Sequence, residues 1–440
     1  MKKTPEAEAT AIDRFVRPFR QFAALESSGG LLLIGCIIVA LLWANSPWSA
    51  SYFHLWHIPL TFGFAGRTYA EPLHFWINDA LMAVFFLVVG LEMKRELLIG
   101  ELASWQRAAL PIAAAIGGMA LPALIYFAFN RSGPGAAGWG IPMATDIAFA
   151  LGILTLLGNR APPSLRVFLA ALAIADDLGA VLVIAFFYTE TISGMSLAIA
   201  AAFFVFLIIL NRAGALHPLW YLIPGLGLWL AFLESGIHPT VAGVLLATTI
   251  PARTPIDGKT FLRGIEGILQ TFGRTDTSGE FINANANKHA ALQALEKHCE
   301  EAESPMLRFE HALVPWITYL IMPVFALANA GVTLGDVSFR ALGNPVSLGI
   351  IGGLVLGKPI GILLCCLLVT QLKWAALPSG VSWRHILGVG CLAGIGFTMS
   401  LFIANLAFVE GTALETLAIL IASLVSGLAG AVILRTSPKP

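Results

Sequence analysis

Apolar positions along this chain fall into long uninterrupted runs. They show neither the alternation of a half-buried strand nor the one-sided stripe of a soluble helix. Eight stretches of 18 or more residues contain no Asp, Glu, Lys or Arg: 27–66, 108–130, 191–211, 213–233, 235–252, 311–335, 385–409 and 416–434. A helix needs roughly 20 mostly apolar residues to cross the hydrocarbon core of a bilayer, so each run is long enough for one crossing. The first also has room for an external loop rich in Trp and Phe. Four further apolar segments are interrupted by few charges: Asp79 in 74–92, Asp146 in 142–158, Asp176 and Asp177 in 167–187, and Lys358 in 347–370. Together they predict an all-α integral membrane protein with twelve transmembrane helices.

Composition sharpens that reading by exclusion. Charged residues make up 12% of the chain and hydrophobic ones 57%, whereas a soluble domain carries about 25% charged residues. Disorder is excluded on the same ground. The 26 Lys and Arg are matched by 26 Asp and Glu, which leaves no net positive charge for a nucleic-acid partner. The lipid bilayer is the expected partner.

Position matters more than total charge. Loops rich in Lys and Arg stay on the cytoplasmic side. With an inside N-terminus, 22 of these residues fall inside, only Arg67, Arg131 and Arg340 outside, and Lys358 within the membrane. That asymmetry requires an even number of spans and two cytoplasmic termini. The predicted organisation is a cytoplasmic N-terminal segment over 1–27, spans one to eight over 28–252, a cytoplasmic insertion over 253–307, spans nine to twelve over 308–434, and a cytoplasmic tail over 435–440. The apolar run near Leu31 reads as a start-transfer helix and not a cleaved signal peptide. Within the insertion, NKHAALQALEKHCEEAE (287–303) predicts one short, solvated helix. The five Cys show no metal-binding spacing, so free thiols and no cofactor are expected.

Ionisable residues at mid-membrane depth cost at least about 2.5 to 3.5 kcal/mol each on insertion scales and mark ion or proton pathways. Asp176 and Asp177 lie 10 and 11 residues beyond Arg166, roughly 15 Å along a helix and therefore near mid-bilayer. Lys358 reaches a similar depth in the tenth span. Adjacent helical residues diverge by about 100°, so one aspartate can pair with Lys358 while the other faces a water-filled cavity. Two carboxylates and one ammonium leave a net negative charge, which in low dielectric calls for a cation or a proton.

Two spans are interrupted. The fourth reads GIPMATDIAFALG (140–152), where Pro142 lacks an amide donor and Thr145 and Asp146 offer oxygens. The eleventh reads CLAGIGFTM (391–399), with Gly394 and Gly396 breaking an apolar run and Thr398 following. In the topology above these interruptions occupy corresponding places in inverted halves, a pattern that points to the ion site of a secondary transporter. Charges at the inner mouths, GLEMKREL (90–97) and RFEH (308–311), read as helix-end groups, with His311 placed to titrate among carboxylates. His238 reads as an interfacial packing residue and Asp79 as a hydrated helix-end acid.

These motifs taken together, FWINDALMAVFFLVVGLEMKREL (75–97), GWGIPMATDIAFALGIL (138–154), FLAALAIADDLGAVLVIA (168–185), LESGIHPTVAGVLLA (233–247), RFEHALVPWITYLIMPVFALANAGV (308–332), LVLGKPIGI (354–362) and GIGFTMSLFIANLAF (394–408), resemble the NhaA family of sodium/proton antiporters over nearly every span. The resemblance implies inverted-topology repeats, with broken spans four and eleven crossing near the paired aspartates. It implies Asp177 as principal Na+ ligand and proton carrier, Asp176 as its partner paired with Lys358, and Thr145 and Asp146 as nearby oxygen ligands or electrostatic compensation. Glu92, Arg95, Glu96, Glu310 and His311 resemble a cytoplasmic cluster linked to pH activation. Two features depart from the family pattern: Val314 stands where some members carry a second His, and the 259–304 segment is absent from shorter members.

The expected activity is electrogenic, pH-regulated exchange of Na+ or Li+ for H+ across a bacterial inner membrane. Alternating access would serve a site at which metal ion and proton compete for the same carboxylates, without enzymatic chemistry. A second copy of the chain, as a homodimer, is left open. The alternative is a sodium-coupled organic solute symporter of similar fold. An intramembrane aspartyl protease is disfavoured because Asp176 and Asp177 share one helix.

Overall fold

The computed structural model describes residues 28–64, 67–189, 192–254, 258–274, 286–335, 339–408 and 413–438. The proposed N-terminal segment 1–27 lies outside them. In lipid a backbone must satisfy its own polar groups, and the described chain is accordingly mostly helical. It runs α1 (Ser28–Ala44), α2 (Ser49–Trp56), β1 (Pro59–Phe64), β2 (Arg67–Pro72), α3 (Leu73–Leu98), α4 (Trp105–Phe129), a 3-10 turn (Pro134–Met143), α5 (Ile147–Leu156) and α6 (Pro163–Phe187). There follow α7 (Gly194–Arg212), α8 (Leu219–Leu233), α9 (Val241–Thr249), α10 (Gly258–Arg274), α11 (Ala286–Ala302) and α12 (Pro305–Asn329). The chain ends with α13 (Pro345–Gln371), α14 (Trp383–Ala393), α15 (Phe397–Ala407) and α16 (Ala413–Thr436).

Among the described residues, 8 helices are long and apolar enough to cross a membrane, or up to 10 if each of two bent pairs is one span. Every one of the apolar segments read from the sequence carries helix. Some do so in short pieces: α1 has 17 residues, α8 has 15 and α9 has 9, while α14 and α15 meet at a 45° bend.

The all-α expectation needs correction between 57 and 72. The presumed loop after the first span holds α2, turned 117° from α1, and then an antiparallel hairpin in register from Pro59 opposite Pro72 to Phe64 opposite Arg67. PLTFGF is rich in β-favouring residues and too short for a second crossing, so its backbone is satisfied by a partner strand. The insertion also carries two helices, not one. In α10, Phe261, Ile265 and Ile268 recur at helical spacing although Gly264 and Gly267 lower its propensity. Phe261 stacks on His298 of α11, ring centroids 5.6 Å apart.

The chain divides into two compact units, Met1–Phe85 with Glu96–Glu190 and Trp316–Pro440, and Phe86–Arg95 with Thr191–Pro315. In the first, α4 and α13 approach through glycine. A Cβ added at Gly117 would stand 2.2 Å from the Gly361 carbonyl oxygen, and one at Gly361 2.0 Å from that of Gly117. Only small residues allow such contact between membrane helices, and it seats the middle of α13 against α4. In the second unit, Lys94 donates to the carbonyls of Thr248 (2.7 Å) and Ile250 and Asn211 to that of Thr249 (2.5 Å). A cation and an amide thus close the C-terminus of the short helix α9.

Candidate functional site

The site forms in the first unit, where two interrupted segments abut. Between the 3-10 turn and α5 the chain is extended at Ala144 and Asp146, which frees backbone groups that a continuous helix would have used. Between α14 and α15 the break spans Gly394 to Gly396. The freed groups satisfy one another: the Asp146 amide donates to the Ile395 carbonyl at 2.7 Å. The Ser400 hydroxyl donates to the Ile141 carbonyl at 2.8 Å, and the Phe397 amide to Ser423 Oγ at 3.1 Å. Close approach explains the residue types. A Cβ at Gly394 would meet the Leu354 carbonyl oxygen at 2.4 Å, and one at Gly353 would meet the Pro142 ring at 2.6 Å.

Side chains complete the centre. Asp176 Oδ2, on α6, accepts from Lys358 Nζ at 2.7 Å and from the Thr145 hydroxyl at 2.6 Å. Lys358 also donates to the Met143 carbonyl, and Thr145 Oγ1 lies 2.9 Å from the Ala393 carbonyl. A π-helical turn, Gly353–Gly357, immediately precedes Lys358. Such turns insert an extra residue, re-aim the side chains beyond it, and recur at functional sites. Asp146 is the N-cap of α5: Oδ1 accepts from the Phe149 amide at 3.1 Å, while Oδ2 accepts from the Thr398 hydroxyl at 2.5 Å and the Thr398 amide at 3.2 Å. Asp177 is the next residue after Asp176 on α6 and is equally buried. All six side chains, Thr145, Asp146, Asp176, Asp177, Lys358 and Thr398, are at most 3% exposed.

Three buried carboxylates accompany one buried ammonium. Asp146 has three donors and Asp176 two, yet Asp176 Oδ1 accepts no hydrogen bond. A centre of this kind carries excess negative charge and oxygen ligands that suit a hard monovalent cation or a proton.

Residues expected at the inner mouths group differently. In the second unit Arg95 forms an ion pair with Glu310, whose side chain is 5% exposed. His311, the next residue, turns instead to Glu303, Nδ1 to Oε1 2.8 Å, on the surface. Glu92 is on the same turn of α3 as Arg95. Glu96 belongs to the first unit, where its carboxylate accepts the Glu101 amide at 2.9 Å. Within the second unit, Glu310 and His311 thus turn to different partners although they are neighbours in the chain.

Several partners escaped sequence reading. The carbonyls of Met143, Ala393 and Ile395 are backbone atoms without a residue-type signature, and only the Pro142 and Gly394 interruptions signal that they are available. Ser400 and Ser423 are small hydroxyls in apolar runs and carry no warning of their role. Lys94, grouped with helix-end charges, closes α9.

A buried charged centre among helices long and apolar enough to cross a membrane defines a multi-pass helical membrane protein. The family model described as Na+/H+ antiporter 1 matches residues 20–434. The chain is 50% identical to "Na(+)/H(+) antiporter NhaA" of Oleidesulfovibrio alaskensis, over 98% of this chain and 96% of that one. It is 48% identical to the protein of the same name from Koribacter versatilis, over 97% and 93%, and 47% identical to "Na(+)/H(+) antiporter NhaA 2" of Sorangium cellulosum, over 96% and 91%. The chain belongs to the Na+/H+ antiporter 1 family.

Proposed function

We propose that this chain, like the antiporters it is similar to, exchanges Na+ or Li+ for H+ by alternating access at the centre built on Asp176 and Asp177. In this reading Asp177 is the principal ligand and proton carrier, and Asp176 its partner held by Lys358. Thr145, Asp146 and Thr398 supply further oxygens and hold the two interrupted helices together. The observation that carries it is the charge imbalance of the buried centre, three carboxylates to one ammonium. Such a centre is stable only when a cation or protons join it. Na+ and H+ therefore displace one another without a separate coupling device.

The finer architecture belongs to the same proposal. It comprises twelve spans in inverted repeats, with the broken fourth and eleventh spans crossing at mid-membrane, both termini on the cytoplasmic side, and residence in a bacterial inner membrane. Two adjacent carboxylates serving one monovalent ion support electrogenic exchange, more protons entering than sodium ions leave. The membrane potential then contributes about 2.3 kcal/mol per net charge per 100 mV. Regulation by pH is assigned to the Arg95–Glu310 pair with Glu92, Glu96 and His311. No resident cofactor enters the scheme, and the ions are substrates.

The test uses inside-out vesicles with an acid interior, to which NaCl, LiCl or KCl is added while internal pH is followed. The expected result is alkalinisation with Na+ and Li+ but not K+, reduced at least about a hundredfold by Asp177→Asn in protein that still folds. Sodium-dependent proton flux retained in that variant would overturn the assignment of the site.

A further inference from the structure

A second polar network lies in the first unit, away from the charged centre. His74 and Asn78 of α3, Asn329 at the C-terminal end of α12 and Asn405 of α15 form one hydrogen-bonded set. Three of them close a ring. Asn78 Nδ2 lies 3.2 Å from His74 Nδ1 and 3.1 Å from Nε2, His74 Nε2 pairs with Asn329 Oδ1 at 3.0 Å, and Asn329 Nδ2 donates to Asn78 Oδ1 at 3.0 Å. Asn405 docks onto it, Nδ2 to Asn329 Oδ1 at 2.6 Å.

The network ties a half-helix to the rest of its unit. Asn405 follows Thr398 by seven residues on α15, two turns along nearly the same face and about 10 Å away. One turn nearer the centre, Phe402 lies against Phe325 of α12, ring centroids 6.3 Å apart. Phe325 in turn accepts from Asn329 through its carbonyl at 2.9 Å. A seam of one aromatic pair and one amide pair therefore joins α15 to α12. On the α3 side, Asn78 lies inside a π-helical turn, Trp76–Leu81. Beside the seam is a cavity of about 440 Å³ lined by His57, His74, Asn329, Asn405 and Thr416 among others. Of α15, Asn405 is the residue that lines it, just beyond the buried stretch Phe397–Ala404, so the bond to Asn329 is what ties this C-terminal end of the helix.

We infer that Asn405 is a positioning residue for exchange: by docking on the Asn78–His74–Asn329 ring it fixes α15, so that Thr398 keeps its hydroxyl and amide on Asp146. The inference rests on the reading that Asp146 and Thr398 belong to the ion site. When the dock is lost, the C-terminal end of α15 loses its polar tie to α12, Thr398 is held less firmly on Asp146, and the centre holds its cation less well while the carboxylates that exchange protons are untouched.

The vesicle assay tests this through the split between Na+ KM and maximal rate. Asn405→Leu is expected to raise KM about three- to tenfold, the weight of one polar interaction, with the maximal rate changed less than about twofold. Asn405→Gln keeps the donor and has cavity to fill, so it should stay within about twofold of the parent on both. Should Asn405→Leu not fold, Asn405→Asp, of equal size and lacking the donor, replaces it. In a Thr398→Val background, where KM is already raised, the Asn405 substitution should add less than about 1.5-fold, because both act through one contact. An unchanged KM in Asn405→Leu, or an undiminished effect in the Thr398→Val background, overturns the inference alone. Parental KM in Thr398→Val overturns the site reading and the inference with it.

Discussion

The chain holds two groups of charge in opposite conditions. In the first unit Asp146, Asp176, Asp177 and Lys358 are at most 3% exposed, and the partners of Asp146, Asp176 and Lys358 include one another, threonine hydroxyls, backbone amides and a backbone carbonyl. In the second, the Arg95 side chain is 32% exposed, while Glu303 and His311 reach 34% and 68%. Coulomb energies and desolvation penalties both grow as water is excluded. The first group is therefore a balance that an arriving ion must complete, whereas in the second the His311–Glu303 pair is left to solvent and salt and Glu310 alone is shielded. Nearly the same residue types thus serve different ends according to depth.

The largest expected effect comes from removing the single ammonium. Lys358→Ala leaves Asp176 with the Thr145 hydroxyl as its one remaining donor among the described residues, and breaking a buried pair from one side costs about 3–5 kcal/mol. Thermal unfolding in detergent should show a midpoint lowered by several degrees, and Asp176→Asn in the same chain should restore most of it. A Lys358→Ala protein as stable as the parent would show that the centre is already open to water, and the contrast between the two groups would fall.

Depth is also the reason that part of the site is legible in the sequence. A run without charge announces a membrane helix, and an Asp or Lys about ten residues inside one stands out, so Asp146, Asp176, Asp177 and Lys358 can be singled out from sequence. Proline and paired glycines mark Pro142, Gly394 and Gly396 as interruptions. The rest is hidden for physical reasons. Carbonyls exposed by a broken helix, such as those of Met143 and Ala393, belong to no residue type. Whether α1 continues or turns by 117° into α2 depends on packing, since SASYFHLW is apolar enough for either. The first strand of the hairpin after it, PLTFGF, shares its hydrophobicity with the spans. Helix α10 has the spacing of an amphipathic helix, but its glycines and its polar surroundings mask it. Among the inner-mouth charges, proximity in sequence is a poor guide: Glu310 and His311 are neighbours in the chain yet pair with Arg95 and Glu303 respectively.

Next in size is the closure of α9. Lys94→Ala removes the ammonium that donates to Thr248 and Ile250, leaving carbonyls of a helix C-terminus without that donor. Loss of such a cap costs about 1–2 kcal/mol. Lys94 belongs to the second unit without belonging to its titratable pairs, so the variant separates stability from regulation. Unfolding should come several degrees earlier while the pH dependence of exchange keeps its shape. A shifted pH profile with unaltered stability would move Lys94 into the regulatory group.

The smallest effects are expected at the exposed end of the comparison, and their order is the informative quantity. Glu310 is 5% exposed in its side chain and is tied to Arg95. Glu310→Gln keeps the shape and removes the charge, and the pH of half-maximal exchange should move by several tenths of a unit, with little dependence on salt. His311 stands mostly in solvent against Glu303, where ion pairs are worth little and are screened. His311→Gln should shift the same midpoint by less, and raising the salt concentration in the parent should reproduce most of that shift. The measurement is one pH titration of exchange for each protein at low and high ionic strength. If His311→Gln moves the midpoint further than Glu310→Gln at both, burial does not rank these groups. Regulation would then rest on the exposed His311–Glu303 pair.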